Sequence, residues 1–142
     1  MNLLLRIVAI LQIAGGFYGL FSALPVLLDG RASVVLLIGM LLSGFALVAG
    51  VLLIEGHAQG ERMSRIAQGL QVPLVATSWL SYAWHTGASV PLFLRFGRSV
   101  TADIDWSLPS QGLRLAAGGP ATAVIGVNVL ALLLWLVLWS RR

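Results

Sequence analysis

Cysteine and lysine are absent from this 142-residue chain, and charged residues of any kind are scarce. Without cysteine, no disulfide can stabilise an exposed loop, and neither thiol chemistry nor a cysteine metal site is available. Only 10% of the residues are charged, whereas 58% are hydrophobic. With a mean hydropathy of +0.94, the chain is too apolar for a soluble domain of this size to bury within one core. The composition predicts a membrane protein.

Four segments are long and apolar enough to cross about 30 Å of hydrocarbon as helices. They are Ile7–Leu28, Val34–Ile54, roughly Gly69–His85, and Ala121–Trp139. We therefore predict an all-α membrane protein, a four-transmembrane-helix bundle that forms a single domain over residues 1–142. Between helices 3 and 4 we predict an extracytoplasmic β insert at about residues 90–117. About residues 91–117 of it form a small antiparallel β-sheet.

Arginine supplies all of the formal positive charge, with nine residues and a net charge of +4. Four spans put five arginines on the side of the two termini (Arg6, Arg62, Arg65, Arg141 and Arg142) and four on the other side (Arg31, Arg95, Arg98 and Arg114). Since the pair Arg141 and Arg142 adjoins the last span, the positive-inside rule predicts cytoplasmic termini. Richness in Leu, Ala, Gly and Arg indicates a bacterium, and hence a multi-pass protein of the bacterial inner membrane. The predicted partners include the lipid bilayer but no nucleic acid, because no basic cluster is interleaved with exposed aromatic residues.

The stretch TADIDWSL, Thr101–Leu108, interrupts this apolar pattern. Its polar and apolar residues alternate strictly, which is typical of a strand with one wet face and one apolar face. A three-residue turn at Gly97–Ser99 would pair Phe96 with Val100, Leu94 with Ala102 and Leu92 with Ile104. A second turn, PSQG at Pro109–Gly112, would pair Leu108 with Leu113 and Trp106 with Leu115. Both registers match apolar side chains across a three-stranded meander.

The meander supplies the first set of candidate functional residues. Its apolar face, with Ile104, Trp106 and Leu108, needs a surface on which to rest, because so small a sheet is only marginally stable alone. Its polar face holds Asp103 and Asp105, with Arg95 and Arg114 diagonal to them in the outer strands. We predict that this sheet binds a partner protein and that Trp106 is the anchor, since large aromatic residues dominate interface energetics.

Polar residues within the predicted spans form the second set. On a helical wheel, Gln71, Ser78, Tyr82 and His85 fall on one stripe of span three, while Gln12 lies in span one and Asn128 near the middle of span four. Interhelical hydrogen bonding explains such residues without a transport role. The alternative is a polar track through the bundle.

Catalysis is not predicted. His57 and His85 fall on opposite sides of the membrane in this topology, so that a metal site is not expected. Asp103 and Asp105 are better explained by ion pairing with the nearby arginines than as a catalytic pair. The sequence contains no nucleophile motif and no phosphate-binding loop, and no cofactor is expected. The predicted function is protein–protein binding, as an accessory subunit of a membrane complex or an immunity-type protein. The alternative is a small transporter or channel that works as a homo-oligomer through the polar stripe of helix 3.

Overall fold

The computed structural model describes residues 2–105 and 107–140, and for residues 107–111 it describes the backbone alone. Four helices and six strands follow one another in these residues: α1 (Leu3–Leu28), α2 (Val34–Ile54), α3 (Ala58–Gln71), β1 (Pro73–Ala76), β2 (Leu80–Ser89), β3 (Pro91–Phe96), β4 (Val100–Ile104), β5 (Ser107–Ala117), β6 (Ala123–Asn128) and α4 (Val129–Trp139). The six strands form one antiparallel sheet in the order β4-β3-β6-β1-β2-β5.

The first two predicted spans are helices. α2 has the predicted bounds, and α1 begins four residues before the predicted start. Ser33 caps α2 by accepting the backbone N–H of Leu36 at 3.1 Å. Within the described residues, α1 and α2 are the two helices that are long and apolar enough to cross a membrane.

Small residues let these two helices approach closely. A Cβ added to Gly16 would lie 2.5 Å from the carbonyl oxygen of Ser43, and one added to Gly50 would lie 2.8 Å from that of Ala9. Contacts of this kind are how helices pack where apolar burial gives little driving force. They hold α1 and α2 together as an antiparallel hairpin.

The predicted four-helix transmembrane bundle is wrong. Span three is not one helix, because α3 ends at Gln71 and the rest of the segment forms β1 and the first half of β2. Pro73 cannot donate the backbone hydrogen bond that a helix would need, and it lies at the first position of a strand, where proline is tolerated. The apolar run that follows is rich in β-branched and aromatic residues, which suit a strand as well as a buried helix.

Span four is also divided. Its first half is the strand β6, and its second half is the 11-residue helix α4, which at about 1.5 Å per residue is too short to cross a bilayer. The change occurs at Asn128, whose side-chain oxygen caps α4 by accepting the N–H of Ala131 at 3.3 Å.

The connection between α2 and β1 is mostly the helix α3. The face of α3 that is buried carries small and polar residues (Gly60, Ser64, Ala67, Gln68 and Gln71), whereas Ile66 and Leu70 are exposed. Gly60 lies against the backbone of Leu52 and Leu53 in α2. The helix thus packs closely on α2 and leaves the large apolar residues Ile66 and Leu70 outside.

The sheet is built around one long bent hairpin. β2 and β3 are separated only by Val90, and they pair with β5 and β4 in almost one register, from Leu80 opposite Ala117 to Phe96 opposite Val100. The register shifts once, at a bulge between Gly87 and Ser89. β1 and β6 pair with each other and lie between the two halves of this hairpin. β1 also pairs with β2, and β6 also pairs with β3.

One of the two predicted turns is confirmed. β3 and β4 pair as expected around Gly97–Ser99, with Phe96 opposite Val100, Leu94 opposite Ala102 and Leu92 opposite Ile104. The PSQG turn is wrong, because residues 109–112 lie inside β5, which pairs with β2 instead of folding back on itself. The predicted three-stranded sheet at 91–117 is therefore part of a larger sheet. Trp106 and the side chain of Leu108 lie outside the described residues.

Two apolar clusters hold the layers together. Leu5 and Val8 of α1 pack with Leu53 of α2 and Leu138 of α4, so that the end of α4 lies beside the start of α1. Trp84 of β2 is 1% exposed and packs with Ala46 of α2 and Ala67 of α3. The side of the sheet that carries Trp84 is called the helix face below, and the opposite side is called the cavity face.

Candidate functional site: a polar cavity on the sheet

Strand register places the predicted polar residues of the meander on the cavity face. Ala83 and His85 alternate with Trp84, and Ala83 lies opposite Arg114 in β5. On the other half of the sheet, Ala76, Val124, Arg95 and Thr101 form one row across four strands. Because alternate residues of a strand point to opposite faces, Arg95 and Arg114 share the face that lies away from the helices.

Two adjoining cavities open on this face. One has a volume of about 250 Å³ and is lined by Arg95 and Arg114, and the other, of about 210 Å³, is lined by His85, Asp105 and Asn128. Leu74, Ala83 and Phe93 line both of them. Phe93 packs over Gly126, where an added Cβ would lie 2.7 Å from the ring. The result is a groove with an apolar middle and polar groups towards its two ends.

Asn128 is fully buried in the smaller cavity and holds three parts of the fold together. Its Oδ1 accepts the N–H of Val90 at 3.1 Å and that of Ala131 at 3.3 Å. Its backbone N–H donates to the carbonyl oxygen of Val72 at 2.9 Å. The Nδ2 atom, by contrast, has no hydrogen-bond partner within the described part of the chain.

His85 lies between Asn128 and the outer strand β5. Its ring is next to Gly112, the residue opposite it, where an added Cβ would lie 2.9 Å from Cε1. Burial lowers the pKa of His85 below its ordinary value, because a buried site disfavours the charged imidazolium. His85 is therefore a neutral imidazole at pH 7, which can donate one hydrogen bond and accept another.

The charged residues differ in their partners. The Arg95 guanidinium lies 3.9 Å from the carboxylate of Asp103, as the predicted diagonal pairing requires, and both side chains are more than half exposed. Arg114 was expected beside Asp105 as well, but β5 and β4 are opposite edges of the sheet. Arg114 instead lies across the groove from Arg95, at the larger cavity. Both guanidinium groups can bind an anion there.

The predicted intramembrane stripe does not exist as one helical face. Gln71 ends α3, Ser78 lies in the exposed turn between β1 and β2, and Tyr82 and His85 point to opposite faces of β2. Gln71 accepts the N–H of Thr86 at 3.0 Å, and the Tyr82 hydroxyl donates to the carbonyl oxygen of Leu70 at 2.7 Å. These residues join α3 to the helix face of the sheet.

Gln12 lies apart from the cavity, buried among helices, where its Oε1 accepts the hydroxyl hydrogen of Ser64 at 2.8 Å. Ile104 is 64% exposed on the other face of the sheet.

The structure brings together members of both predicted sets in one groove, namely Arg95, Arg114, Asp105, His85 and Asn128. Sequence reasoning missed Leu74 and Phe93, and the alternation in PLFLRF was the available signal for Phe93.

No group of three or more histidine, aspartate or glutamate residues with metal-binding geometry occurs within residues 2–105 and 107–140 as far as they are described. Comparisons with protein-family models, with curated proteins and with solved structures found no match.

Proposed function

We propose that this chain is a non-enzymatic, membrane-anchored subunit of a larger membrane complex, and that it binds an extended strand of a partner protein along the open edge of β4. The observation that carries the proposal is that β4 is an edge of the sheet. Among the described residues one side of its backbone has no partner strand, and exposed apolar side chains flank it. Strand addition of this kind is a common mode of protein recognition.

The hydrogen-bonding pattern shows which backbone groups of β4 are available. Asp105 donates its N–H to the carbonyl oxygen of Pro91 at 3.1 Å. In an antiparallel pair, hydrogen-bonded and non-hydrogen-bonded positions alternate. The odd-numbered residues of β4 therefore bond to β3, while the N–H and C=O groups of Val100, Ala102 and Ile104 point to the open edge.

The edge has few of the features that prevent strand addition. Proteins protect edge strands with proline, bulges or charged side chains, especially lysine. β4 has the sequence VTADI, with Asp103 as its one charged residue, and a regular register with β3. Val100 and Ile104 are 66% and 64% exposed on the helix face. They continue an exposed apolar patch formed by Leu92, Leu94, Phe96, Ile125 and Val127. An added strand would bury apolar side chains against this patch while it pairs with the backbone.

The proposed anchor is the α1–α2 hairpin. Its outer surface exposes large apolar side chains along both helices, among them Phe17, Phe21, Leu37 and Leu41. Soluble monomers rarely expose so continuous an apolar surface. Lipid is the natural cover for it, because each helix is long enough to cross the hydrocarbon layer.

The sheet contacts the α1–α2 hairpin near the middle of both helices, and this position supports the proposal of a partner protein. Gly87 of β2 lies against Gly15, near the middle of α1, and Trp84 packs with Ala46, near the middle of α2. If the hairpin crosses the bilayer, part of the sheet therefore lies at membrane depth. Lipid does not cover open strand edges or polar sheet faces, so protein or a water-filled space must do so. A subunit within a complex satisfies this requirement.

The arginines favour an orientation for this anchor. Arg6, Arg62 and Arg65 lie at the end of the hairpin where α1 begins, whereas Arg31 in the α1–α2 turn is paired with Asp29 at 3.2 Å. The positive-inside rule then puts the start of α1, α3 and the end of α4 on the cytoplasmic side of a bacterial inner membrane. β5, whose Leu113 lies beside Gly39, is nearer the extracytoplasmic end.

The test replaces one backbone donor. A photo-crosslinking residue at Val100 is combined with Ala102→Pro, which removes an outward-pointing N–H, a position where an edge strand tolerates proline. The matched control is Ala102→Val, which keeps the N–H. We expect crosslinking in native membranes to give a partner adduct with the control and to lose it with Ala102→Pro, at equal folded yield in detergent.

Two results would count against the proposal. Equal adduct formation by the proline and valine variants would mean that the partner does not pair with β4. An adduct between two copies of the 15.1 kDa chain would replace the accessory subunit with a homo-oligomer, which favours a small transporter or channel.

A further inference from the structure

The unpaired amide nitrogen of Asn128 has no structural explanation within the fold described above. The residue is fully buried, and its oxygen already serves two backbone donors, so that the orientation of the amide is determined. The Nδ2 group therefore has two N–H donors and no protein acceptor among the described residues, and Asn128 is one of the residues that line the smaller cavity. Buried donors are almost always satisfied. Gln12 Nε2 and Thr86 Oγ1 also have no hydrogen-bond partner among the described residues, but of these three residues it is Asn128 that lines one of the two cavities.

The smaller cavity has room for an acceptor from outside the chain. Its volume of about 210 Å³ is far above the roughly 10 to 15 Å³ that a single water needs. Its walls include Leu74, Pro91 and Phe93, and it adjoins the second cavity of about 250 Å³ through the shared side chains of Leu74, Ala83 and Phe93. Predominantly apolar walls with a few placed polar groups are typical of sites for small organic ligands.

The two ends of the groove favour different groups. Arg114 and Arg95 line the larger cavity, and although Asp103 lies 3.9 Å from Arg95, Arg114 leaves this end with a net positive charge that suits a carboxylate. At the smaller cavity the carboxylate of Asp105 disfavours a second anion, while Asn128 and the neutral imidazole of His85 favour an uncharged acceptor. Val124 and Asn128 lie at opposite ends, four residues apart on β6, which is roughly 13 Å for an extended strand.

We propose that the groove binds a small organic acid, with its carboxylate at Arg95 and Arg114, an apolar body against Leu74 and Phe93, and a carbonyl or hydroxyl oxygen that accepts from Asn128 Nδ2. The site is independent of the β4 edge. Its occupancy does not require the partner proposed above.

The test uses three probes that differ by one group each. 6-Oxoheptanoate has both the carboxylate and the distant carbonyl, heptanoate lacks the carbonyl, and 2-heptanone lacks the carboxylate. Binding is measured on the purified full-length chain in lipid nanodiscs by saturation-transfer NMR titration, with empty nanodiscs subtracted. We expect saturable binding in the order 6-oxoheptanoate, then heptanoate, then 2-heptanone, with about a tenfold difference between the first two.

Variants assign the two ends separately. Asn128→Asp keeps an oxygen for Val90 and Ala131 but removes the amide donors, so it is expected to reduce 6-oxoheptanoate to the affinity of heptanoate. Arg114→Gln is expected to weaken both acids about tenfold and to leave 2-heptanone unchanged. Arg98→Gln, an arginine in the β3–β4 turn that does not line the groove, is the control and should bind all three probes as the unmodified chain does.

Each remaining outcome would overturn the proposal. If no probe binds saturably, or if 6-oxoheptanoate and heptanoate bind equally to the unmodified chain, the groove is not this site. The same conclusion follows if Arg98→Gln weakens the acids as much as Arg114→Gln, because nonspecific surface charge would then explain binding. The probe comparison requires no variant, and it therefore decides the matter even if Asn128→Asp does not fold.

Discussion

Gly15 of α1 and Gly87 of β2 lie so close together that neither position can carry a side chain. A Cβ on Gly15 would overlap the backbone nitrogen of Gly87, and a Cβ on Gly87 would overlap the carbonyl oxygen of Leu11. Gly87 also has a φ of 88°, a left-handed conformation that other residues rarely adopt. This backbone contact is what fixes the sheet against the middle of the α1–α2 hairpin.

The first prediction follows from this contact. Gly15→Ala should destabilise the protein by about 1 to 3 kcal/mol through overpacking, measured as the free energy of unfolding in a detergent titration. Gly44→Ala is the matched control, since an added Cβ in α2 would meet nothing within 4 Å, and alanine is the better helix former by about 1 kcal/mol. Equal effects of the two substitutions would mean that β2 does not lie on α1 at Gly15.

The second prediction distinguishes the sheet from a third membrane-spanning helix. Leu80 and Ala117 are directly opposite in β2 and β5, where Cβ atoms lie about 4.5 to 5.5 Å apart. Because the chain has no cysteine, Leu80→Cys with Ala117→Cys should give one clean intramolecular disulfide under mild oxidation.

The matched control for this crosslink pairs Leu80→Cys with Ala116→Cys. Neighbouring residues of a strand point to opposite faces, so this pair should remain reduced under the same conditions. Disulfide formation is read from mobility on a nonreducing gel and from intact mass. Equal crosslinking of the two pairs, or of neither, would contradict the β2–β5 register.

Local patterns predicted some of this fold. The β3–β4 hairpin was predictable because its alternation, its three-residue turn and its pairing lie within 15 residues. The α1–α2 hairpin was predictable because both helices are continuous apolar runs joined by a five-residue turn. In each case the sequence neighbours are also the structural neighbours.

The remaining elements depend on partners far away in the sequence. β2 pairs with β5 and β1 with β6, and an apolar segment of this length looks the same whether lipid or another strand covers it. The candidate site depends on distant pairing in the same way. Arg95, Asp103, Asp105 and Arg114 were predicted on one sheet face, but His85 and Asn128 joined them only because the third and fourth spans contain strands.

The third prediction concerns the buried pair of Gln12 and Ser64. Their hydrogen bond of 2.8 Å joins α1 to α3 across the buried side of α2, and both side chains are inaccessible to solvent. Ser64→Ala leaves the Gln12 oxygen without its donor, at a cost of about 1 to 3 kcal/mol. Adding Gln12→Leu removes the side-chain amide whose oxygen has lost its donor. The double variant should therefore be more stable than the sum of the two single effects predicts.

A double-mutant cycle on the free energy of unfolding measures this coupling, and about 0.5 to 2 kcal/mol is expected for groups in contact. A parallel cycle between Gln12→Leu and Ser140→Ala serves as the control, because Ser140 donates instead to the carbonyl oxygen of Val137. Additive effects in both cycles would rule out an energetic role for the Gln12–Ser64 bond.

The last prediction is a pH dependence of stability that arises from His85. Burial lowers the pKa of His85 in the folded chain, whereas an unfolded chain has the ordinary value of about 6.5. The unfolded state therefore binds a proton more readily as the pH falls through this value, so stability is complete above about pH 6.5 and is lost as the pH falls below it.

The free energy of unfolding should decline from pH 7.5 to pH 5, and His85→Gln should flatten part of that decline. His57→Gln replaces the other histidine, an exposed residue before α3, and is the control for the loss of an imidazole elsewhere in the chain. If the decline persists unchanged in His85→Gln, or if His57→Gln flattens it as much, the imidazole of His85 is not the group that titrates. That result would also contradict a neutral His85 at the polar end of the groove.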